Sequence, residues 1–179
     1  MRFNDVRKAA RQGTEAEARA GERQGEGGGS RDRRSSAQSP NMISEERAPL
    51  ECVAFMLVKA NRVLAEKRKL TKTLAPGAVA LPGGHMEDDE HPKGALQREL
   101  LEELGIVARR VAYVCTLLHR AEEFRRIHYF AVESWEGEIL NREAEALLWL
   151  SLDELHIFDL AIDRVAVSEY VRIYQNLDD

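Results

Sequence analysis

Two cysteines in 179 residues are too few for a disulfide framework. Cys52 and Cys115 lie in apolar, strand-like stretches and form no metal or redox motif, so buried free thiols in a reducing cytoplasm are expected. No apolar run approaches the 18 residues of a helical membrane span, and neither a signal-peptide pattern nor an internal repeat is present. Residues 1–47 lack large apolar side chains between Val6 and Met42 but contain Gly25-Glu26-Gly27-Gly28-Gly29-Ser30 and an Arg/Ser-rich run. That composition cannot bury enough surface to offset its ordering entropy, so a disordered low-complexity extension is expected, followed by one folded domain over 48–179. Three readings of the extension stand open: an inert tail, sequence upstream of a true start at Met42, or an arginine-rich arm or presequence. Its interspersed acids argue against the last, and so against nucleic acid as a partner.

Positive charge is also short in the expected domain. The formal net charge of −5 falls on residues 48–179, with sixteen Lys/Arg against 23 Asp/Glu, while residues 1–47 are mildly basic. An acidic domain can bind a polyanion only through an intermediary cation. The acids concentrate between Leu81 and Ile106. Leu81-Pro82-Gly83-Gly84 reads as a strand end followed by a glycine turn. Pro92 suits the first turn of a helix, and Gly105 the position just past its last. At helical spacing Leu96, Leu100, Leu101 and Leu104 share one arc; Glu99, Glu102 and Glu103 share another. Carboxylates so grouped raise one another's pKa unless a cation intervenes, and their hard oxygens suit Mg²⁺ or Mn²⁺. His85, His91 and His128 match no standard ligand spacing, so they are not expected to bind metal directly.

The remaining pattern is mainly strands. Glu51–Lys59 is apolar on both faces. Ala60-Asn61 can turn it into a second strand, 62–68, and 78–81 forms a short third. Two long strands are expected over 107–118 and 127–133, with a charged turn over 122–126. Ser151-Leu152-Asp153-Glu154 reads as a capping box opening a short helix, and Ile162–Leu177 as a terminal amphipathic helix. The class is α+β.

The run from Gly84 to Ile106 places Gly, five residues, Glu90, seven residues, Arg98-Glu99, Leu100, one free position, Glu102-Glu103, Leu104, Gly105 and Ile106. This resembles the Nudix box of the Nudix hydrolases at every specified position. Seven of those positions demand one residue type each, so chance matching falls below roughly one in 10⁸ at average usage. Glu133-Ser134-Trp135-Glu136-Gly137-Glu138, then Arg142-Glu143 and Trp149 before Ser151-Leu152, further resemble the MutT-type members that hydrolyse nucleoside triphosphates. The resemblance implies an α/β/α sandwich around a mixed sheet and a metal-dependent hydrolase of a nucleoside diphosphate linked to a further group. Glu99, Glu102, Glu103, the Gly83 carbonyl and Glu143 (with Glu145 as its neighbouring alternative) would hold Mg²⁺ or Mn²⁺. Glu99 would take the proton of the attacking water. Arg98 would orient the carboxylates, and Gly84 and Glu90 would support them. Arg68 and Lys67 would face the substrate phosphates, and Phe124, Tyr129 and Trp135 are candidates for stacking on a base. Asp163 falls where MutT proteins carry a base-reading Asn, which weakens the case for 8-oxo-dGTP in particular. Other Nudix substrates (ADP-ribose, a dinucleoside polyphosphate, capped RNA), a non-catalytic Nudix-fold sensor and a homodimer stay open; an isoprenoid diphosphate isomerase lacks its expected surroundings.

Overall fold

The computed structural model describes residues 48–175; the readings made for residues 1–47 and for Leu177 lie outside them. Strand β1 (Leu50–Lys59) is the axis. Its alternate side chains are buried on both sides: Val53, Phe55 and Leu57 toward one core, Cys52, Ala54, Met56 and Val58 toward the other. This two-sided burial is what an apolar run without polar alternation requires. Ala60 and Asn61 both take positive φ (50° and 58°), the tight hairpin geometry that leads into β2 (Arg62–Lys67).

Along its length β1 changes partners. Its C-terminal end pairs antiparallel with β2, which continues through β3 (Val79–Ala80) and β7 (Ala146–Ser151). Its N-terminal part pairs antiparallel with β4 (Gly83–His85) and parallel with β6 (Phe124–Glu136), beside which β5 (Val107–Arg120) forms the far antiparallel strand. The sheet is therefore mixed. Helix α1 (Pro92–Glu99), with its extension Leu100–Leu104, covers one face through Ala95, Leu96, Leu100 and Leu104. Helix α2 (Ala161–Tyr170) covers the other through Ala166, Val167 and Tyr170. The α/β/α sandwich is the architecture expected. Among the described residues no helix is long and apolar enough to cross a membrane.

Several local expectations are corrected. Strand β6 begins at Phe124, because the turn from β5 closes within three residues and the charged stretch after it enters the ladder. The last turn of the acidic helix widens to π spacing over Leu100–Leu104. Leu101, on the flank of the apolar arc, is left half exposed and does not pack in the core. The expected capping box does not form. Ser151 ends β7, and its hydroxyl accepts from the Asp153 N–H at 3.3 Å in a local turn. Only a single 3₁₀ turn, Leu155–Ile157, follows, with no side-chain cap. Cys52 is buried as expected, whereas Cys115 is partly exposed.

Candidate active site

The glycine bend positions the acidic helix. Gly83 pairs with Ala54 at φ 152°, and a Cβ there would lie 2.2 Å from the Val53 carbonyl oxygen. A Cβ on Gly84 would lie 2.3 Å from Glu99 Oε1. The two glycines thus let β4 lie against β1 while the Glu99 carboxylate lies against β4. His91 caps α1, its Nδ1 accepting from the Lys93 N–H at 3.3 Å, and Pro92 occupies the first turn. Gly105 ends the helix at φ 70°.

Arg98 binds the carboxylates together. Its Nε and Nη2 donate to both oxygens of Glu90 (3.1 and 2.9 Å), and Nη1 donates to Glu99 Oε1 (2.7 Å) and Glu102 Oε2 (3.2 Å). A fifth bond runs from Nη2 to the His85 carbonyl at 3.0 Å. The fork-on-carboxylate geometry fixes α1 against the loop before it, and the Arg98 hydrogen bonds hold the Glu90 carboxyl below its usual range.

A cavity of about 360 Å³ opens across β1. From the α1 side Glu99 and Glu103 line it, with Glu143 from the segment before β7; Asp163, Leu160 and Ile162 enter from the α2 side. Burial raises the Glu99 carboxyl despite Arg98. It pushes Glu103 up to about 9, reinforced by Glu66, Glu143 and Glu99. Glu103 Oε2 is buried and has no hydrogen-bond partner among the described residues. Asp163 is almost wholly buried; its Oδ2 accepts from the Leu81 N–H at 2.8 Å and its Oδ1 from the Tyr129 hydroxyl at 3.0 Å. Burial outweighs both bonds and raises its carboxyl to about 6.

Of the residues singled out in sequence, Gly83, Gly84, Glu99, Glu103, Glu143, Arg68 and Asp163 line this cavity. Glu102 does not: it points outward on Arg98, its side chain 57% exposed. Among the described residues no three His, Cys, Asp or Glu side chains are gathered as a ready-made metal set. Lys67 also lies off the cavity wall, paired with Glu145 at 3.2 Å. His85 lines the cavity but pairs with Glu123, and His128 bridges Thr116 and Glu51. Trp135 stacks on Trp149 and Phe124 lies under Arg120, while Tyr129 is a buried wall residue.

Sequence reasoning missed Glu66, Lys72 and Arg125. Glu66 is buried in β2, its carboxyl raised by burial and paired with Arg68 Nη1 at 2.8 Å. A lone acid after Val63-Leu64-Ala65 was its signal. Lys72 pairs with Glu143 from a loop that carries no pattern. Arg125 shares β6 alternation with Ile127 and Tyr129, legible only once the strand's early start is known.

A mixed sheet between two helices, with a glycine bend seating buried carboxylates in a nucleotide-sized cavity, defines a Nudix-type hydrolase fold. The family model described as NUDIX domain matches residues 49–171, and the chain belongs to that family, as a Nudix pyrophosphohydrolase of the MutT type. It is 35% identical over 115 residues to the CTP pyrophosphohydrolase of Escherichia coli (strain K12), covering 63% of this chain and 83% of that one. It is 33% identical over 104 residues to the 8-oxo-dGTP diphosphatase of the same organism, covering 55% and 77%. Among solved structures, the MutT NUDIX hydrolase from Burkholderia pseudomallei superposes with a TM-score of 0.63 at 28% identity, covering 69% of this chain and 98% of that one. The Escherichia coli ORF135 protein gives 0.61 at 28%, covering 72% and 94%.

Proposed function

We propose that the protein hydrolyses a nucleoside triphosphate to the monophosphate and pyrophosphate, using Mg²⁺ or Mn²⁺. The observation that carries this reading is one cavity whose wall includes the Glu99, Glu103 and Glu143 carboxylates together with Asp163 and apolar side chains such as Leu81, Leu160 and Ile162. The donor set fits a hard dication: every side-chain donor is a carboxylate oxygen, and Glu103 keeps a buried oxygen with no partner among the described residues. Glu99, Glu103, Glu143 and the Gly83 carbonyl would hold it, and Glu102 would join after releasing Arg98. When bound, such a cation neutralises polyphosphate charge and acidifies a coordinated water.

The chain's own groups do the rest. Glu99, whose carboxyl burial makes more basic, takes the proton of the attacking water. Arg98, by its bonds to Glu90, Glu99 and the His85 carbonyl, holds that carboxylate in place. Arg68 and Lys72, on the cavity wall, receive phosphate oxygens, with Lys67 behind them at the end of β2. Asp163, ionised at neutral pH, accepts hydrogen bonds and so favours a base that carries an amino group. Cytosine, the base in one relative's name, carries one with only acceptors beside it; 8-oxoguanine, in another's, also offers carbonyls to which an Asn could donate and Asp163 cannot.

Ion-exchange chromatography of a nucleoside triphosphate panel incubated with Mg²⁺ or Mn²⁺ tests this. Monophosphate plus pyrophosphate is expected, faster for CTP than for UTP. Diphosphate plus inorganic phosphate, or no cleavage, would contradict it.

A further inference from the structure

Each of the other basic side chains on the cavity wall has a partner: Arg68 bonds Glu66 and the Leu74 carbonyl, Lys72 pairs with Glu143, and His85 with Glu123. Arg125 differs. Its Nε is buried and has no hydrogen-bond partner among the described residues, yet the side chain lines the cavity. It stands two residues before Ile127 and four before Tyr129 on β6, so strand alternation sets all three on the α2 side of the sheet, where Cys52 and Ala54 also face. Its charge reaches Asp163 and Cys52, lowering the carboxyl and opposing the upward push of burial on the thiol.

A guanidinium is a fixed fork of donors that accepts nothing and cannot lose its charge. A buried donor without an acceptor is costly, and an acceptor brought by a ligand removes the cost. The carboxylate end of the cavity already has Arg68 and Lys72 for phosphate. Arg125, by contrast, shares the other side with an acceptor-only group, Asp163, between apolar walls. A donor fork and a carboxylate lining one cavity with apolar walls complement a planar edge that carries an amino group beside ring-nitrogen or carbonyl acceptors.

We infer that Arg125 is a specificity-determining residue: its guanidinium donates to the acceptor atoms of the nucleobase edge while Asp163 accepts from the base's amino group. This rests on the nucleoside triphosphate reading above and adds which group selects the base. Cytosine, with N4 as donor and N3 and O2 as acceptors, satisfies both residues; uracil offers Asp163 a carbonyl and is disfavoured.

Calorimetric binding of CMP, UMP and base-free ribose 5-phosphate to wild type, Arg125→Met and Arg125→Lys tests the inference without turnover. Wild type is expected to bind CMP more tightly than either other ligand. In Arg125→Met the advantage of CMP over ribose 5-phosphate falls about tenfold, the loss expected for hydrogen bonds from a charged donor. Arg125→Lys, which keeps the charge but not the fork, does not restore it; it carries the comparison alone should the Met variant fail to fold. An unchanged CMP advantage in a folded variant overturns the inference. So does an equal loss for ribose 5-phosphate, which would make Arg125 a phosphate ligand, or a wild type that does not prefer CMP. Discrimination that depends on Arg125 without cleavage of any triphosphate would instead contradict the proposed reaction and leave the role of Arg125 standing.

Discussion

At the scale of single residues, the site is a set of acids held where burial works against their charge. Asp163 allows this to be measured apart from the acidic helix. Its carboxyl is raised from 3.8 to about 6, so the folded chain binds its proton more firmly than the unfolded chain does. Stability from this group is then present below pH 3.8 and is lost as pH rises to about 6, by on the order of 3 kcal/mol. Asp163→Asn, which can keep the Leu81 N–H bond while the Tyr129 hydroxyl turns to donate elsewhere, should flatten that part of the profile. Thermal melts at pH 4 and pH 7 measure it; equal slopes in the two proteins would show that Asp163 does not titrate as described. The sequence disclosed Glu99, Glu103 and Asp163, because spacing on a helix and a known pattern name them. It hid Lys72 and Arg125, which reach the cavity from a loop and from strand β6, and Glu66, which is buried in β2 beside Arg68, because each approach is tertiary.

At the scale of elements, the acidic helix and its glycine bend were legible because proline, glycine and leucine spacing mark a helix's ends and buried side. The widened turn over Leu100–Leu104 was not, since intrinsic spacing assumes one pitch throughout. It is tied down from outside: Arg142 Nη1 donates to the Leu101 carbonyl at 2.9 Å, and the Leu140 N–H donates to that of Leu104. The capping-box reading at Ser151 failed for a related reason, because β2 holds Leu147–Ser151 as a strand up to the position where a helix would begin. The two glycines of the bend make separable predictions. Gly83→Ala would force a Cβ against backbone and into a strained φ, so stability should fall by roughly 3 kcal/mol or more. In Gly84→Ala the three atoms nearest the new Cβ all belong to the Glu99 carboxylate, a side-chain end and not backbone. The variant's stability should change by less than about 1 kcal/mol, while turnover drops about 100-fold because the proposed base, Glu99, is displaced. Denaturant unfolding and initial rates on both variants check the pair; a Gly84→Ala enzyme with full activity would contradict the placement of Glu99.

At the scale of the whole molecule, β1 works as a hinge of topology: it serves two sets of strands, separates the α1 and α2 cores, and leaves the cavity where they part. Its two-sided burial was readable from ECVAFMLVK, but its parallel pairing with β6 was not, because pairing partners are chosen by packing across more than seventy residues of chain. The architecture came instead from the resemblance of Gly84–Ile106 to the Nudix box. The proposed reaction turns on the buried acids Glu99 and Glu103 collecting a hard dication. The most direct measurement is Mn²⁺ binding followed by electron paramagnetic resonance in wild type and Glu103→Gln, with melting of the metal-free proteins alongside. Wild type should bind Mn²⁺, and the variant at least about tenfold more weakly. The metal-free variant should melt no lower than wild type, because it loses a buried carboxyl with an unpartnered oxygen. Equal Mn²⁺ affinity in the two proteins, or none in wild type, would contradict the account.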